Sequence, residues 1–142
     1  MANPFFTFKQ FTIRHDRCAM KVGTDGVLLG AWTDVSHSCR LLDIGTGTGL
    51  IALMLAQRCP KASITAIDID AEAVEQAREN VLLSPWSDRV EVALQDICKY
   101  LTDKHFDTIV SNTSRQSSLY FCSKTIPGKA INVSRPTVPY HG

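Results

Sequence analysis

Several features are absent from this sequence, and each absence excludes a class of protein. No run of about 18 apolar residues occurs in the 142 positions, which excludes a membrane-spanning helix. The opening MANPFFTFKQ lacks the basic and apolar regions of a secretory signal. The five cysteines form no CxxC pair, so a zinc site or redox dithiol has little support and we expect reduced, buried thiols. With 44% hydrophobic and 20% charged residues, the chain is predicted to be one soluble, cytoplasmic domain.

Acidic residues are missing from the last 30 positions. All 14 lie between Asp16 and Asp107, so residues 1–112 have a formal charge of −3 and residues 113–142 a charge of +4. A net charge of +1 argues against a strongly basic nucleic-acid clamp, although a local patch could still bind RNA. That patch, for which a solvated loop is an equal alternative, would comprise Arg14, His15, Arg17 and Lys21.

Apolar runs alternate with helical patterns in the middle of the chain. They predict strands at 39–44, 62–69, 89–94 and 106–111, and helices beginning near Thr24 and at 50–59 and 71–83. This alternation is typical of βαβ units with a mainly parallel sheet. Residues 5–13 predict a strand or hairpin arm. We expect its aromatic rings to pack on the domain, with stacking on bases as the alternative; they are Phe5, Phe6, Phe8 and Phe11.

The strongest motif is a glycine-rich turn between a predicted strand and helix, Asp43-Ile44-Gly45-Thr46-Gly47-Thr48-Gly49. Its glycines permit positive φ and close approach of a ligand to the backbone, and the helix that follows offers unpaired N–H groups. The spacing differs from the dinucleotide fingerprint GxGxxG, which binds a pyrophosphate. The acid two residues before the first glycine favours a cationic ligand. The alternative is a tight turn that binds nothing.

Acids also follow the next two predicted strands. Asp68 ends the second strand at the same sheet edge, where it could accept hydrogen bonds from both ribose hydroxyls. Asp70 is the better candidate for the N-cap of the helix that follows. Asp96, after the third strand, could accept a hydrogen bond from an adenine amino group, and a solvated loop acid is the alternative. Together these residues indicate an adenosine-type ligand without phosphates.

These residues resemble the class I S-adenosylmethionine-dependent methyltransferases, an α/β family with a Rossmann-like fold. Three segments, FTIRHDRCAMKVGTDGVLLGAW, LLDIGTGTGLIALMLAQR and IDIDAEAVEQARENV, more narrowly resemble the bacterial tRNA(1)(Val) adenine-37 N6-methyltransferase family. The resemblance covers residues 1–112. It implies S-adenosylmethionine as cofactor, tRNA as partner and chemistry without a metal. We expect a monomer that has no contact with a membrane.

The resemblance also implies a role for each matching position. The methionine part of the cofactor would lie on Asp43, Gly45, Gly47 and Gly49, the ribose on Asp68 and the adenine on Asp96. A closing N-terminal segment would contribute Lys21, Thr24 and Asp25. In the family an Asn-Pro-Pro-Tyr motif ends the fourth strand. Its asparagine oxygen accepts a hydrogen bond from the adenine amine and its tyrosine stacks on the base, which implies a catalytic role for Asn112.

The sequence departs from the family pattern directly after Asn112, where Thr113-Ser114-Arg115 replaces Pro-Pro-Tyr. Such an abrupt change is typical of a frameshift, a truncation or a gene-model error. We therefore expect residues 1–112 to form the N-terminal part of the methyltransferase domain, with a fold that is incomplete at the C-terminus. Residues 113–142 would be an aberrant, poorly ordered tail, an ordinary βα continuation being the alternative. The fourth strand would then have an exposed edge, and methyl transfer would be negligible.

Other functions stay open at this point. The chain could be a non-catalytic remnant that binds the cofactor, or a methyltransferase acting on a protein glutamine, ribosomal RNA or a small molecule. A nicotinamide dehydrogenase is disfavoured, because the glycine spacing differs and no hydride-transfer constellation is evident.

Overall fold

The elements of the fold follow the predicted alternation. The computed structural model describes residues 5–18, 24–35, 39–100, 105–111 and 131–133. The helices are α1 (Thr24–Trp32), α2 (Leu50–Arg58) and α3 (Ala71–Leu82). The strands are β1 (Phe5–Thr7), β2 (Thr12–Arg14), β3 (Arg40–Ile44), β4 (Ser63–Asp68), β5 (Val90–Leu94), β6 (Thr108–Ser111) and β7 (Ile131–Val133). The observed bounds differ from the predicted ones by one or two residues at most ends, which is the usual uncertainty where helices and strands fray.

Five strands form one parallel sheet in the order β5-β4-β3-β6-β7. Strand β3 lies at the centre and pairs with β4 on one side and with β6 on the other. The order therefore runs outward from β3 in both directions, as in the doubly wound Rossmann arrangement. The predicted α/β Rossmann-like fold with a mainly parallel sheet is confirmed.

Side chains of the central strands alternate between two buried clusters. Leu41, Ile64 and Val110 face the side covered by α2 and α3, whereas Leu42 and Ile109 join Ile97 and Phe106 on the opposite side. Because both faces are buried, these strands are apolar along their whole length rather than alternately polar. That is why the sequence shows them as continuous hydrophobic runs.

The N-terminal hairpin of β1 and β2 packs on the domain through some of its aromatic residues. Phe11 is buried and meets Trp86 edge-on at 5.5 Å, and Phe8 stacks on Phe11 at 4.7 Å between ring centroids. The predicted packing is therefore confirmed for these two phenylalanines. It is wrong for Phe5 and Phe6, which are 45% and 47% exposed; of the two hairpin strands, it is β2 that contacts α3.

Strand β7 corrects one expectation about residues 113–142. It pairs in parallel with β6, with Ile109 opposite Ile131 and Ser111 opposite Val133. The edge of β6 is therefore covered, and the expectation that this strand has an exposed edge was wrong. Strand β7 is only three residues long, with Asn132 between two apolar residues and polar residues and proline nearby, so its pattern is too brief to predict a strand.

The expectation of buried cysteine thiols is met at two of the four described cysteines. Cys18 and Cys59 are buried thiols as predicted, but Cys39 and Cys98 are exposed; Cys122 lies outside the described residues. Within the described ranges, no helix has the length and apolar character needed to cross a membrane.

Candidate cofactor-binding site

The candidate site lies at the carboxyl edge of the sheet, where β3, β4 and β6 end. Strand β3 is the point from which the strand order runs outward in both directions, and ligands of open α/β sheets bind in the crevice at such a point. Ser111, the last residue of β6, is fully buried, and its hydroxyl donates to the Ile44 carbonyl at 3.3 Å. This contact brings the end of β6 beside the start of the glycine-rich turn.

The glycine-rich turn, residues 45–49, has the backbone conformation that its composition predicts. Gly45, Gly47 and Gly49 have φ values of 69°, 55° and 87°. The Gly45 and Thr46 N–H groups both donate to the Ile67 carbonyl, at 2.9 and 3.0 Å, which fixes the turn against β4. A Cβ built on Gly47 would meet no described atom within 4 Å. The turn is therefore fixed by hydrogen bonds to β4, and the space beside Gly47 is free of described atoms. A cradle for a ligand requires both features.

Asp43 lies buried beneath this turn. The Thr46 hydroxyl donates to Asp43 Oδ2 at 2.8 Å, whereas Oδ1 is the one buried side-chain oxygen in the described structure with no hydrogen-bond partner. Burial raises the pKa of Asp43 to about 7; the charge of Asp68 adds to this effect, and hydrogen bonds from the Thr46 hydroxyl and the Ala52 backbone N–H oppose it. An unpaired buried carboxylate is costly unless a cation or donor completes it. Asp43 is thus suited to a positively charged ligand group.

Asp68 joins the end of β4 to the turn. Its Oδ2 accepts from the Gly47 N–H at 2.9 Å and its Oδ1 from the Asp70 N–H at 3.0 Å. Each carboxylate oxygen has a second lone pair, so Asp68 can accept further hydrogen bonds from a ligand. Asp70 caps α3 by accepting from the Glu72 N–H at 3.1 Å, which confirms its predicted role. Ile69, between the two acids, is 51% exposed and offers an apolar surface at the same edge.

Asp96 lies at the end of the neighbouring strand. The Gln95 N–H donates to the Asp68 carbonyl at 2.8 Å, which holds the start of this loop beside β4. The Asp96 carboxylate accepts from the Cys98 N–H at 2.9 Å and so caps a single 3₁₀ turn, Ile97–Lys99. Asp96 is half-buried at this edge. Its carboxylate caps the short turn and can still accept further hydrogen bonds.

Some predicted residues fall outside what the structure describes. Lys21 and Asn112 lie outside the described residues. Thr24 and Asp25 form the first turn of α1, and their side chains are likewise outside the description. Within the described ranges no group of three His, Cys, Asp or Glu side chains is placed to hold a metal ion.

Two residues of the site were not predicted from the sequence. Thr46 pairs with Asp43, and the three-residue spacing within a tight turn was the available signal. Asn80 is fully buried and donates to the Thr48 carbonyl at 2.7 Å. Its signal was a polar residue on the apolar face of α3, next to Val81 and three positions after Ala77.

The sequence is similar to a known protein family and to curated proteins. The family described as "MTS: Methyltransferase small domain" matches residues 20–116. A tRNA1(Val) (adenine(37)-N6)-methyltransferase from Phocaeicola vulgatus is 62% identical over 96% of this chain and 56% of its own length. The enzyme of the same name from Bacteroides thetaiotaomicron is 66% identical over 79% of this chain and 48% of its own length. The chain thus spans about half the length of the curated relatives it matches.

The fold is also similar to that of known methyltransferase structures. A SAM-dependent O-methyltransferase from Thermotoga maritima superposes with a TM-score of 0.68 at 20% identity, over 84% of this chain and 46% of that one.

The match to the Phocaeicola vulgatus enzyme also extends beyond residue 112, since it covers 96% of the chain, so the domain boundary at that residue stays a prediction. The family match covers more than half of the sequence, and the chain therefore belongs to the methyltransferase small domain family.

Proposed function

We propose that this chain binds S-adenosylmethionine at the carboxyl edge of its sheet. We further propose that its fold serves methyl transfer to the N6 amine of adenine-37 in tRNA1(Val), the reaction for which its relatives are named. The observation that carries the proposal is the unpaired, buried Asp43 Oδ1 beneath a turn that is open above Gly47. A cationic, phosphate-free nucleoside fits this combination better than a pyrophosphate does.

The residues present fit that cofactor. The ammonium of its methionine part would supply the cation that the ionised Asp43 lacks, acting near the open backbone at Gly47. Asp68 would accept from the ribose hydroxyls with its remaining lone pairs. The exposed Ile69 would cover one face of the adenine, and Asp96 would accept from its amino group.

The cofactor supplies a methyl group on a positively charged sulfur, so the protein needs to orient the acceptor rather than activate a metal or form a covalent intermediate. An adenine amine is a poor nucleophile because its lone pair is delocalised into the ring. In the proposed reaction, the Asn112 side-chain oxygen would accept a hydrogen bond from this amine and favour a more tetrahedral nitrogen.

A non-catalytic role is the second candidate function, and a specific observation favours it. Thr113-Ser114-Arg115 follows Asn112, so the sequence lacks the two prolines and the tyrosine that the resemblance implies at these positions. We therefore propose that this chain takes up cofactor but transfers methyl groups far more slowly than its relatives do.

One assay separates the two candidates. The full chain and the Phocaeicola vulgatus relative are incubated with methyl-labelled S-adenosylmethionine and tRNA that lacks the modification, with a protein extract as a second acceptor. We expect the relative to label tRNA and this chain to label it at least about a hundredfold more slowly, as the loss of oriented contacts implies. Equal rates would contradict the second candidate, and labelling of protein alone would contradict tRNA as substrate.

A further inference from the structure

One face of α3 holds the N-terminal segment, residues 14–17. Glu72, Gln76 and Asn80 are spaced four residues apart and so lie on one face of the helix. Glu72 Oε2 accepts from Arg17 Nη2 at 2.8 Å, and Glu75 also pairs with this guanidinium. Gln76 Nε2 donates to Asp16 Oδ1 at 2.7 Å, and Gln76 Oε1 accepts from the Arg17 N–H at 3.0 Å. The segment therefore runs along α3, and side chains on successive turns of this helix hold it in place.

Asn80 differs from the other residues of this face because it also contacts the glycine-rich turn. Its Oδ1 accepts from the Arg14 N–H at 2.8 Å, and its Nδ2 donates both to the Arg14 carbonyl at 2.9 Å and to the Thr48 carbonyl at 2.7 Å. Asn80 is completely buried, and both of its amide hydrogens are used. One side chain therefore joins strand β2 to the turn.

The Thr48 carbonyl needs an external partner of this kind. Thr48 lies between Gly47 and Gly49, both with positive φ, and glycine peptides have the widest conformational freedom of any residue. The shape of the turn must therefore be imposed by its surroundings. The Ile67 carbonyl and the Asp68 carboxylate hold N–H groups in the first half of the turn, and the Gly49 N–H donates to the Thr46 carbonyl. Asn80 holds the Thr48 carbonyl from outside the turn.

We propose that Asn80 is a positioning residue for the cofactor, which holds the Thr48 peptide in its binding conformation by bracing it against the N-terminal segment. This inference rests on the proposed function, since it takes S-adenosylmethionine to be the ligand of the turn. Because coupling between two sites is reciprocal, a ligand on the turn must in turn stabilise the contact of Asn80 with Arg14.

Gln76 supplies the matched control for a first test. Asn80→Ala and Gln76→Ala both remove buried amide contacts to the N-terminal segment, but only the first removes the contact with Thr48. We expect Asn80→Ala to weaken binding of S-adenosylhomocysteine about tenfold, the equivalent of one lost hydrogen bond. Gln76→Ala is expected to lower the melting temperature while binding changes less than about twofold. Calorimetric titration well below the melting range of both variants gives the comparison.

A second measurement uses the unaltered chain and so does not depend on folding of a variant. Amide exchange is followed by NMR with and without S-adenosylhomocysteine at the Arg14 N–H, which donates to Asn80, and at the Arg17 N–H, which donates to Gln76. We expect bound ligand to slow exchange at Arg14 several-fold more than at Arg17.

The two measurements separate the failure of this inference from failure of the proposed function. If the unaltered chain binds S-adenosylhomocysteine but exchange at Arg14 is unchanged, or Asn80→Ala binds within about twofold of it, the positioning role is wrong. If the folded, unaltered chain binds none of this ligand, the proposed function itself is wrong.

Discussion

A side chain at Gly47 and one at Gly30 would have different effects, and single substitutions can distinguish them. A Cβ at Gly47 would point into open space at a φ of 55°, whereas a Cβ at Gly30 would lie 2.6 Å from Met54 Sδ on the neighbouring helix α2. Under the proposed function, Gly47 leaves room for the ligand beside the turn, whereas Gly30 permits close packing of α1 on α2.

Gly47→Ala is expected to lower the free energy of unfolding by only about 1–2 kcal/mol, the strain of a left-handed alanine. Affinity for S-adenosylhomocysteine should fall more than about tenfold, because the added methyl group occupies the cradle. Gly30→Ala, the control, should lower stability and leave affinity unchanged. Denaturant unfolding and calorimetric titration test both. Unaltered binding by Gly47→Ala would show that the turn is not a ligand cradle.

Asp43→Asn is expected to change how stability depends on pH. The folded state raises the pKa of Asp43 to about 7, against about 3.9 in an unfolded chain, so folding takes up a proton between these values. The free energy of unfolding contributed by Asp43 therefore falls as pH rises from about 4 to 7 and stays low above that.

Relative to the unaltered chain, Asp43→Asn should gain stability progressively across this range. The ceiling is about 4 kcal/mol above pH 7, since one pKa unit corresponds to about 1.4 kcal/mol. Urea unfolding between about pH 5 and pH 8 measures the difference. A gain that does not change with pH would mean that Asp43 is ionised in the folded state throughout. The same variant should bind the cofactor more weakly above pH 7, where it lacks the carboxylate charge.

At the residue scale, the sequence could predict what is encoded locally. The glycine pattern predicted the positive φ values, and Asp70 was predicted as the N-cap of α3. The unpaired oxygen of Asp43 and the contacts of Asn80 could not be predicted, because both depend on which segments lie above and beside them after folding.

At the scale of the elements, the C-terminal end of helix α2 is stabilised by a residue that is distant in sequence. Arg89, next to β5, donates from Nη1 to the Cys59 and Ala62 carbonyls at 2.8 and 2.9 Å, and from Nη2 to the Ala56 carbonyl at 2.8 Å. These carbonyls lie at or just beyond the C-terminus of α2, where backbone acceptors lack helical partners and a cation is favourable.

Arg89→Ala is therefore expected to lower the free energy of unfolding by about 2–4 kcal/mol. Arg89→Lys should recover only part of this loss, because an ammonium cannot make the same forked contacts. Arg40→Ala, at an exposed arginine of β3, is the control and should cost less than about 1 kcal/mol. Urea unfolding gives all three values. If Arg89→Ala costs no more than the control, the guanidinium does not stabilise the end of α2.

The elements of the parallel sheet were predicted well up to β6 because strands buried on both faces are long apolar runs. Strand β7 was missed because only three residues form it and the pairing with β6 depends on contacts distant in sequence. For the same reason, the exposure of Phe5 and Phe6 could not be predicted from an aromatic pattern alone.

For the whole molecule, β7 matters because it covers the outer edge of β6. An uncovered edge of a parallel sheet presents unpaired N–H and C=O groups that can pair with another chain. A variant ending at Asn112 should therefore self-associate at concentrations where the full chain does not. Light scattering over a concentration series measures this. Equal behaviour of the two would mean that pairing with β7 does not protect the sheet.

The turn after Asp43 is proposed to receive a positively charged, phosphate-free nucleoside. The most direct test is calorimetric titration of the folded, full chain with S-adenosylmethionine and, separately, with NAD, beside an Asp68→Asn variant. We predict one equivalent of S-adenosylmethionine bound, at least about tenfold weaker binding by Asp68→Asn, and no binding of NAD. Uptake of NAD in preference, or no uptake of S-adenosylmethionine by folded protein, would contradict the account.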